Sequence, residues 1–225
     1  MAKSTGAESA QKLTWKEATH LVHKLYADGK FKYSAFVATS IYLGLRYSDT
    51  SRITWHEIIS LQPGEEFSTI ETKTGKEARR PLVSELLDHV AKCYHSLGSK
   101  VSHYQPIIKT NSKTIVKAAS LQAMNKIAKN WHDLYDIRGA RKTNFSMHSF
   151  RKTAAWKYYT ATGNNLIATM NFLNHSSPDV TKRYLRLDQQ EMHDNYLKAF
   201  GTRSEDIPVE AETIKGVKET PKPKA

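Results

Sequence analysis

One short stretch of strand-like residues, between positions 55 and 82, interrupts a chain whose apolar residues otherwise recur at helical intervals. Trp55 to Ile59 and Phe67 to Thr72 are rich in β-branched and aromatic residues, and they flank the turn sequence Gln62-Pro63-Gly64. Lys73 to Lys76 supplies a second turn before Arg80-Pro81-Leu82. These features predict a small antiparallel sheet, inserted early, whose second hairpin has Lys73 to Lys76 at its tip.

The rest of the chain is predicted to be helical. Thr14, followed three residues later by Glu17, has the spacing of a capping box, and Ser48 and Ser146 are further candidate caps. The predicted fold class is therefore mainly α with a small antiparallel β-sheet. The predicted helices are Leu13–Ala27, Ser34–Leu45, a short one from Ser48, Val83–Leu97, Thr114 to about Tyr135, Met147–Thr160, Asn165–Leu173, Pro178–Tyr184 and Gln189–Phe200.

The 225 residues are enough for one domain with tails. We expect a flexible segment over residues 1–12, one domain over 13–200 and a disordered tail over 201–225, where three prolines and no apolar periodicity occur. No separate N-terminal domain is expected. The longest apolar run falls short of a membrane span and the N-terminus lacks a secretory signal, so we expect a soluble intracellular protein with no membrane contact.

The net charge of +12 lies entirely in residues 1–200, because residues 201–225 hold equal numbers of basic and acidic side chains. A body this basic favours a polyanionic partner, of which nucleic acid is the most common, although a solvated basic surface remains an alternative. Cys93 is the only cysteine, which excludes an internal disulfide. No carboxylate cluster or His/Cys spacing indicates a metal site, so no metal or other cofactor is expected.

Two segments in the first half of the chain carry candidate basic residues. Arg46 lies at the junction of two predicted helices, within Gly44-Leu45-Arg46-Tyr47-Ser48-Asp49. Taken alone, it is more often a solvated charge or the structural partner of Asp49. Lys73 lies at the predicted hairpin tip, where an exposed turn lysine is the common outcome.

Two segments in the second half carry histidines. His148 and Arg151, three residues apart on a helix, project from one face, and an anion between them would relieve their repulsion. His175 begins a turn, Ser177 or Ser176 can cap the next helix, and Tyr184 follows nine residues after the histidine. A tyrosine near a helix end is by itself more typical of packing than of catalysis.

Together, in this order and spacing, the four segments resemble the catalytic domain of the tyrosine recombinase (phage integrase) family over residues 13–200. The resemblance implies the DNA breaking–rejoining fold of that family. It also implies a site-specific recombinase that cleaves and rejoins DNA through a covalent 3′-phosphotyrosyl intermediate, without metal or ATP. The catalytic residues carried over are Arg46, Lys73, His148, Arg151, His175 and Tyr184, with Lys76 a less favoured alternative to Lys73.

The residue types suit this chemistry. Arginine forks can clamp the charged oxygens of a phosphorane, which lysine reproduces less well. Forming a phenolate at neutral pH costs roughly 4 kcal/mol, because tyrosine has a pKa of about 10, so Tyr184 needs cations and a base such as His148. We expect Lys73 to protonate the departing 5′-oxygen and His175 to hydrogen-bond the scissile phosphate.

The resemblance also implies partners and leaves alternatives open. We expect double-stranded DNA as the partner, a tetramer assembled on DNA from free monomers, and possible accessory DNA-bending proteins. We expect the protein to act at the nucleoid, in the cytoplasm of a bacterial or archaeal cell. Two-domain family members carry a core-binding domain before this one, so the sequence is either a catalytic fragment or a single-domain member such as the fimbrial invertases. The helix Gln189–Phe200 could dock on a neighbouring subunit or on its own. The alternative functions are a type IB topoisomerase-like enzyme, a DNA-binding regulator with an inactive site, and a generic basic interaction protein.

Overall fold

The computed structural model describes residues 10–110 and 117–200. The chain forms two compact units, Met1–Arg186 and Leu187–Ala225. Each unit is described separately. The predicted tail and most of the predicted N-terminal segment lie outside the described residues. The elements are α1 (Trp15–Ala27), α2 (Phe31–Leu43), α3 (Tyr47–Thr50), α4 (Trp55–Ile59), β1 (Glu66–Ile70), β2 (Glu77–Pro81), α5 (Ser84–Leu97), α6 (Leu121–Leu134), α7 (Met147–Ala161), α8 (Leu166–Phe172), α9 (Pro178–Leu185) and α10 (Leu187–Phe200).

The predicted fold class is confirmed: within the described ranges the chain is mainly helical and has one two-stranded antiparallel sheet. The Thr14–Glu17 capping box forms as predicted, with the Glu17 carboxylate accepting from the Thr14 backbone N–H and the Thr14 hydroxyl accepting from the Glu17 N–H. Ser177 caps α9 with Pro178 at the first helical position. These local signals were strong enough to define helix starts without tertiary information.

The prediction of a strand over Trp55–Ile59 is wrong, since these residues form helix α4. Thr54 and Glu57 make a capping box that satisfies the first backbone N–H groups of a helix, with the Glu57 carboxylate 2.7 Å from the Thr54 nitrogen. Trp55 and Ile58, three residues apart, are both fully buried, which a helix achieves with one face. Capping and one-sided burial therefore outweigh the β propensity of the side chains.

The sheet is a single hairpin in which β1 and β2 pair from Glu66 opposite Pro81 to Ile70 opposite Glu77. Its inward face carries Phe67, Ala78 and Arg80, and the alternate residues face solvent. The hairpin turn spans Glu71 to Lys76, where the Glu71 N–H donates to the Lys76 carbonyl and the Gly75 N–H to the Glu71 carbonyl. The predicted tip at Lys73 to Lys76 therefore lies within this turn.

Helix α2 forms the centre of the hydrophobic core and is buried along most of its length. It packs against α1, α5 and α7. Because other helices surround α2, even its polar residues Ser34, Thr39 and Ser40 are buried. Their hydroxyls donate to backbone carbonyls, which satisfies them away from water. Because α7 lies against α2, the side chains of α7 reach the end of α2, where the chain turns at Gly44.

Several predicted helix starts differ from the structure: α2 begins at Phe31 and not at Ser34, and α10 begins at Leu187 and not at Gln189. Helix α3 begins at Tyr47 and has no side-chain cap, so the Ser48 hydroxyl does not cap it. Helix α6 begins at Leu121, where the Ser120 hydroxyl accepts from the Ala123 N–H, and not at Thr114. Ala118 instead pairs with Lys109 in an isolated bridge, and residues 114–116 lie outside the described residues.

Helix α10, in the second unit, exposes the side chains of Met192, Tyr196, Leu197 and Phe200. The rings of Tyr196 and Phe200, four residues apart, lie 4.9 Å from each other. Whether this helix docks on its own subunit or on a neighbour stays a prediction. None of the helices in the described part of the chain is long and apolar enough to span a lipid bilayer.

Candidate active site

Residues predicted from four separate segments come together in the first unit. Arg46 precedes α3, Lys73 lies in the hairpin turn, His148 and Arg151 lie on α7, His175 precedes α9 and Tyr184 lies on α9. The charge of Arg46 acts to lower the pKa of His148, His175 and Tyr184. The Arg46 guanidinium therefore lies within electrostatic range of all three side chains.

Arg151 is the most rigidly held of these residues, with 2% of its surface exposed. Its Nη1 donates to the Gly44 carbonyl and its Nη2 to the Leu173 carbonyl, each over 2.8 Å. Gly44 ends α2 with φ of 61°, and a Cβ there would lie 2.5 Å from the Phe172 ring. Glycine is therefore required for both the backbone angle and the packing that hold the first carbonyl in reach of Arg151.

Arg46 pairs with Glu71 and not with Asp49, the partner considered from the sequence. Nη1 of Arg46 lies 2.5 Å from Oε2 of Glu71, whose side chain is fully buried. The Thr74 hydroxyl donates to the same oxygen over 2.8 Å, and Oε1 of Glu71 lies 3.7 Å from Nη1 of Arg151. One buried carboxylate thus contacts both arginines.

Asp49 instead fastens the hairpin to the segment that carries Arg46. Its Oδ1 accepts from the Thr72 backbone N–H over 2.8 Å and from the Thr72 hydroxyl over 2.7 Å. Arg52 donates to the Ile70 carbonyl and pairs with Asp49 at 3.4 Å. With the Arg46–Glu71 pair, the turn end of the hairpin is therefore tied to the α3 region at three successive residues, 70 to 72.

Lys73 is exposed in the hairpin turn, between Thr72 and Thr74, which are both bonded to buried carboxylates. Its positive charge contributes to lowering the pKa of His175, so its ammonium lies within electrostatic range of that ring. Hydrogen bonds thus anchor the residues on both sides of Lys73, and its long side chain is exposed. This suits a residue that must approach a group arriving from outside.

Tyr184 lies between the two histidines. The His148 ring packs edge-on to the Tyr184 ring with centroids 5.3 Å apart, and the His175 ring does so at 5.1 Å. The Tyr184 hydroxyl oxygen is buried and lies close to the guanidinium of Arg151. Burial raises the pKa of Tyr184 to about 12, and the charges of Arg151 and Arg46 act in the opposite direction. The residue is a protonated phenol at neutral pH.

Both histidines are neutral at physiological pH. Although part of His148 stays exposed, desolvation in its packed surroundings, followed by the charges of Arg151 and Lys152, lowers its pKa to about 4. Desolvation, and then the charges of Arg151 and Arg46, also lower the pKa of His175 to about 4. A neutral imidazole can accept a proton, and His175 interacts with the Thr181 hydroxyl through Nδ1 over 3.0 Å.

Three residues at the site were not predicted from the sequence. Glu71 begins the hairpin turn and Arg80 lies on β2, and neither spacing nor residue type distinguishes them. Arg80 is buried and donates to the carbonyls of Leu43 and Phe172. Lys152, whose Nζ lies 5.2 Å from the Tyr184 ring centroid, could have been found, because it follows His148 by four residues on the same helix. Burial lowers the pKa of Lys152 to about 8.

Within residues 10–110 and 117–200, no group of three or more histidine, cysteine, aspartate or glutamate side chains is arranged to hold a metal ion. The positive charge at the site comes from guanidinium and ammonium groups. Guanidinium and ammonium groups are donors that can bind an anion.

The model of the phage integrase family matches residues 11–191 of this chain. The fold is similar to that of XerH site-specific recombinase, with a TM-score of 0.61 and 16% identity over 87% of this chain and 55% of XerH. It is also similar to XerA recombinase (0.60, 15%, 90% of this chain and 68% of XerA) and to the Tn1549 transposon integrase (0.54, 14%, 80% and 64%). The chain thus spans just over half the length of the XerH chain. No protein with a curated description matches the sequence.

Proposed function

The chain belongs to the phage integrase family, and we propose that it is a site-specific recombinase that cleaves and rejoins DNA strands through a 3′-phosphotyrosyl intermediate. One observation carries the proposal: the buried Tyr184 hydroxyl lies beside two neutral imidazoles and within electrostatic range of Arg46 and Arg151. This combination of nucleophile, proton acceptor and paired guanidiniums fits transesterification at a phosphodiester.

In the proposed reaction, the scissile phosphate binds at the two arginines. Arg151 is held by the Gly44 and Leu173 carbonyls, so its remaining N–H groups have a fixed direction. Such preorganised donors stabilise the charge that develops on the non-bridging oxygens of the phosphorane. His175, neutral and partly exposed, is placed to add a hydrogen bond to the same phosphate.

Tyr184 then attacks the phosphorus atom in line. The bond from the tyrosyl oxygen to phosphorus forms while the bond from phosphorus to the 5′-oxygen breaks. The phenolic proton passes to His148, and Lys73 donates a proton to the departing 5′-oxygen. The phosphodiester energy is kept in the phosphotyrosyl bond, so a 5′-hydroxyl from a second strand can reverse the steps without ATP.

The proposed partner is double-stranded DNA. The net charge of +12 on residues 1–200 supports it, and the Tn1549 integrase has been solved in complex with circular intermediate DNA. We further propose that the protein assembles as a tetramer on DNA from free monomers and acts at the nucleoid of a bacterial or archaeal cytoplasm, with accessory DNA-bending proteins where the DNA must be looped.

The test is covalent trapping on DNA. A fluorescent duplex pool of randomised sequence, carrying one nick so that the short cleaved strand diffuses away, is incubated with the wild-type protein and resolved in SDS. We expect a labelled band at the mass of protein plus DNA, and no such band for Tyr184→Phe. DNA binding without an adduct would overturn the proposal in favour of a regulator. An adduct that reseals only its own duplex would indicate a type IB-like relaxing enzyme.

A further inference from the structure

We infer that Glu71 is a positioning residue of the arginine pair, a buried internal anion that orients Arg46 toward the scissile phosphate. The inference rests on the proposed function, because it assigns Glu71 a role in that reaction. Neither the sequence motifs nor the reaction steps above use this residue. It touches Arg46 and acts on the phosphate only through that contact.

The two carboxylate oxygens of Glu71 differ in their hydrogen bonding. Oε2 binds Nη1 of Arg46 at 2.5 Å and the Thr74 hydroxyl at 2.8 Å. Oε1 has no hydrogen bond among the described residues and faces Nη1 of Arg151 at 3.7 Å. The backbone N–H and carbonyl of Glu71 close the hairpin turn, which fixes the point from which the side chain reaches Arg46.

The charges around Glu71 explain why a carboxylate is buried here. Arg46 and Arg151 pair with it, and the charge of Arg80 also lies within its electrostatic range. Guanidiniums packed this closely repel one another, and desolvation adds to the cost of burying them. An anion among them keeps the pair together before any phosphate arrives.

The carboxylate of Glu71 affects the reaction through its hydrogen bond to Arg46. Within the described ranges, Glu71 is the only hydrogen-bond partner of the Arg46 guanidinium, whose side chain is 19% exposed. This charge-assisted bond through one terminal nitrogen anchors one end of the guanidinium and leaves its other N–H groups available. Without the carboxylate, Arg46 would keep its charge and lose its orientation.

Glu71→Gln tests the inference, since it keeps the volume and removes the charge. Glu77→Gln is the matched control, because Glu77 lies on the same hairpin and is exposed, and its carboxylate bonds only Ser68 and Arg79 among the described residues. Its backbone carbonyl accepts from the Asn174 side chain, and the substitution leaves that bond in place. The two readouts are the dissociation constant for a labelled duplex, by fluorescence anisotropy, and the single-turnover rate of adduct formation on the nicked pool.

We expect opposite effects on binding and on rate. Glu71→Gln should bind DNA as tightly as the wild type or more tightly, because a negative charge near the phosphate is gone. Its adduct formation should slow about 10-fold or more, because misplaced catalytic groups lose rate steeply. Glu77→Gln should match the wild type in both. Thr74→Val, at an exposed position, loosens the same carboxylate and should slow the reaction a few-fold with intact binding.

A double mutant separates positioning from general damage. If Glu71 acts through Arg46, Glu71→Gln adds no further loss of rate to Arg46→Ala. Full additivity, a wild-type rate in Glu71→Gln, or a parallel loss of binding, rate and thermal stability would each overturn the inference. Absence of an adduct with the wild-type protein would instead contradict the proposed function, so the two failures are distinguishable.

Discussion

The guanidinium of Arg151, on helix α7, donates a hydrogen bond over 2.8 Å to the backbone carbonyl of Gly44, at the end of helix α2. Gly44 lies two residues before Arg46, so this bond sets the distance between the two arginines. The carbonyl is in place only because the backbone of residue 44 adopts a left-handed conformation. The packing of two helices and one left-handed glycine thus position the arginine pair.

Gly44→Ala is expected to disturb both stability and cleavage. The left-handed backbone costs a non-glycine residue about 1–2 kcal/mol, and the added methyl group would meet the Phe172 ring. Gly29→Ala is the control, because its φ of 69° is similar and nothing lies within 4 Å of a Cβ there. Urea unfolding should show a larger loss of stability for Gly44→Ala. Equal losses would mean that the Phe172 contact is unimportant.

Arg46→Ala and Arg151→Ala are each expected to slow single-turnover cleavage by at least ~100-fold, as loss of a transition-state donor does in other enzymes. The measurement is the rate of adduct formation at saturating protein. A loss of only a few-fold would assign the arginines a structural role.

Lysine substitutions should distinguish the two arginines by stability. Arg151→Lys leaves at least one of the buried carbonyls of Gly44 and Leu173 without its donor, which costs about 1–3 kcal/mol. Arg46→Lys keeps a cation beside Glu71 and should unfold near the wild-type urea concentration. Comparable destabilisation by both substitutions would contradict this account of the site.

Lys73→Ala is expected to slow cleavage of ordinary DNA by about 100-fold or more, the usual contribution of a general acid. A substrate with sulfur in place of the bridging 5′-oxygen needs no proton on its leaving group, so it should be cleaved at nearly the wild-type rate. Lys76→Ala is the control and should leave both rates unchanged. If Lys73→Ala slowed cleavage of both substrates equally, Lys73 would not be the general acid.

The histidines predict how stability depends on pH. His148 has a pKa of about 4 in the folded protein and about 6.5 when unfolded, so the unfolded chain binds more protons between these values. Stability is therefore lost as pH falls from about 6.5 to about 4. His148→Gln should lose less stability over this window in urea unfolding, and NMR titration of the His148 ring should give the low pKa directly. An unchanged pH slope would contradict the assignment.

The sequence was sufficient for the parts of the site that a local motif defines. His148 and Arg151 lie on one helix turn, and the Ser177 cap and Pro178 determine where the helix carrying Tyr184 begins. The similarity of the ordered segments to a known family supplied Arg46 and Lys73, which no local pattern distinguishes. Their convergence is a property of the fold.

What the sequence could not reveal depends on contacts between distant residues. Glu71 and Arg46 are 25 positions apart, and a glutamate at the end of an edge strand is normally solvated. It is buried here because the hairpin turn packs against the segment that carries Arg46 and against Arg151 on α7. The misassigned strand at Trp55–Ile59 has a different cause: its capping box was present in the sequence at Thr54 and Glu57 but was outweighed in our prediction by β-branched composition.

Identifying the residue that becomes covalently joined to DNA tests most directly whether Tyr184 is the nucleophile. The adduct trapped on nicked duplex is digested with nuclease and protease, and the nucleotide-bearing peptide is sequenced by mass spectrometry. The chain contains 11 tyrosines, and the account predicts that the nucleotide is carried by Tyr184, through its phenolic oxygen. A nucleotide on any other residue, or an adduct that persists in Tyr184→Phe, would contradict it.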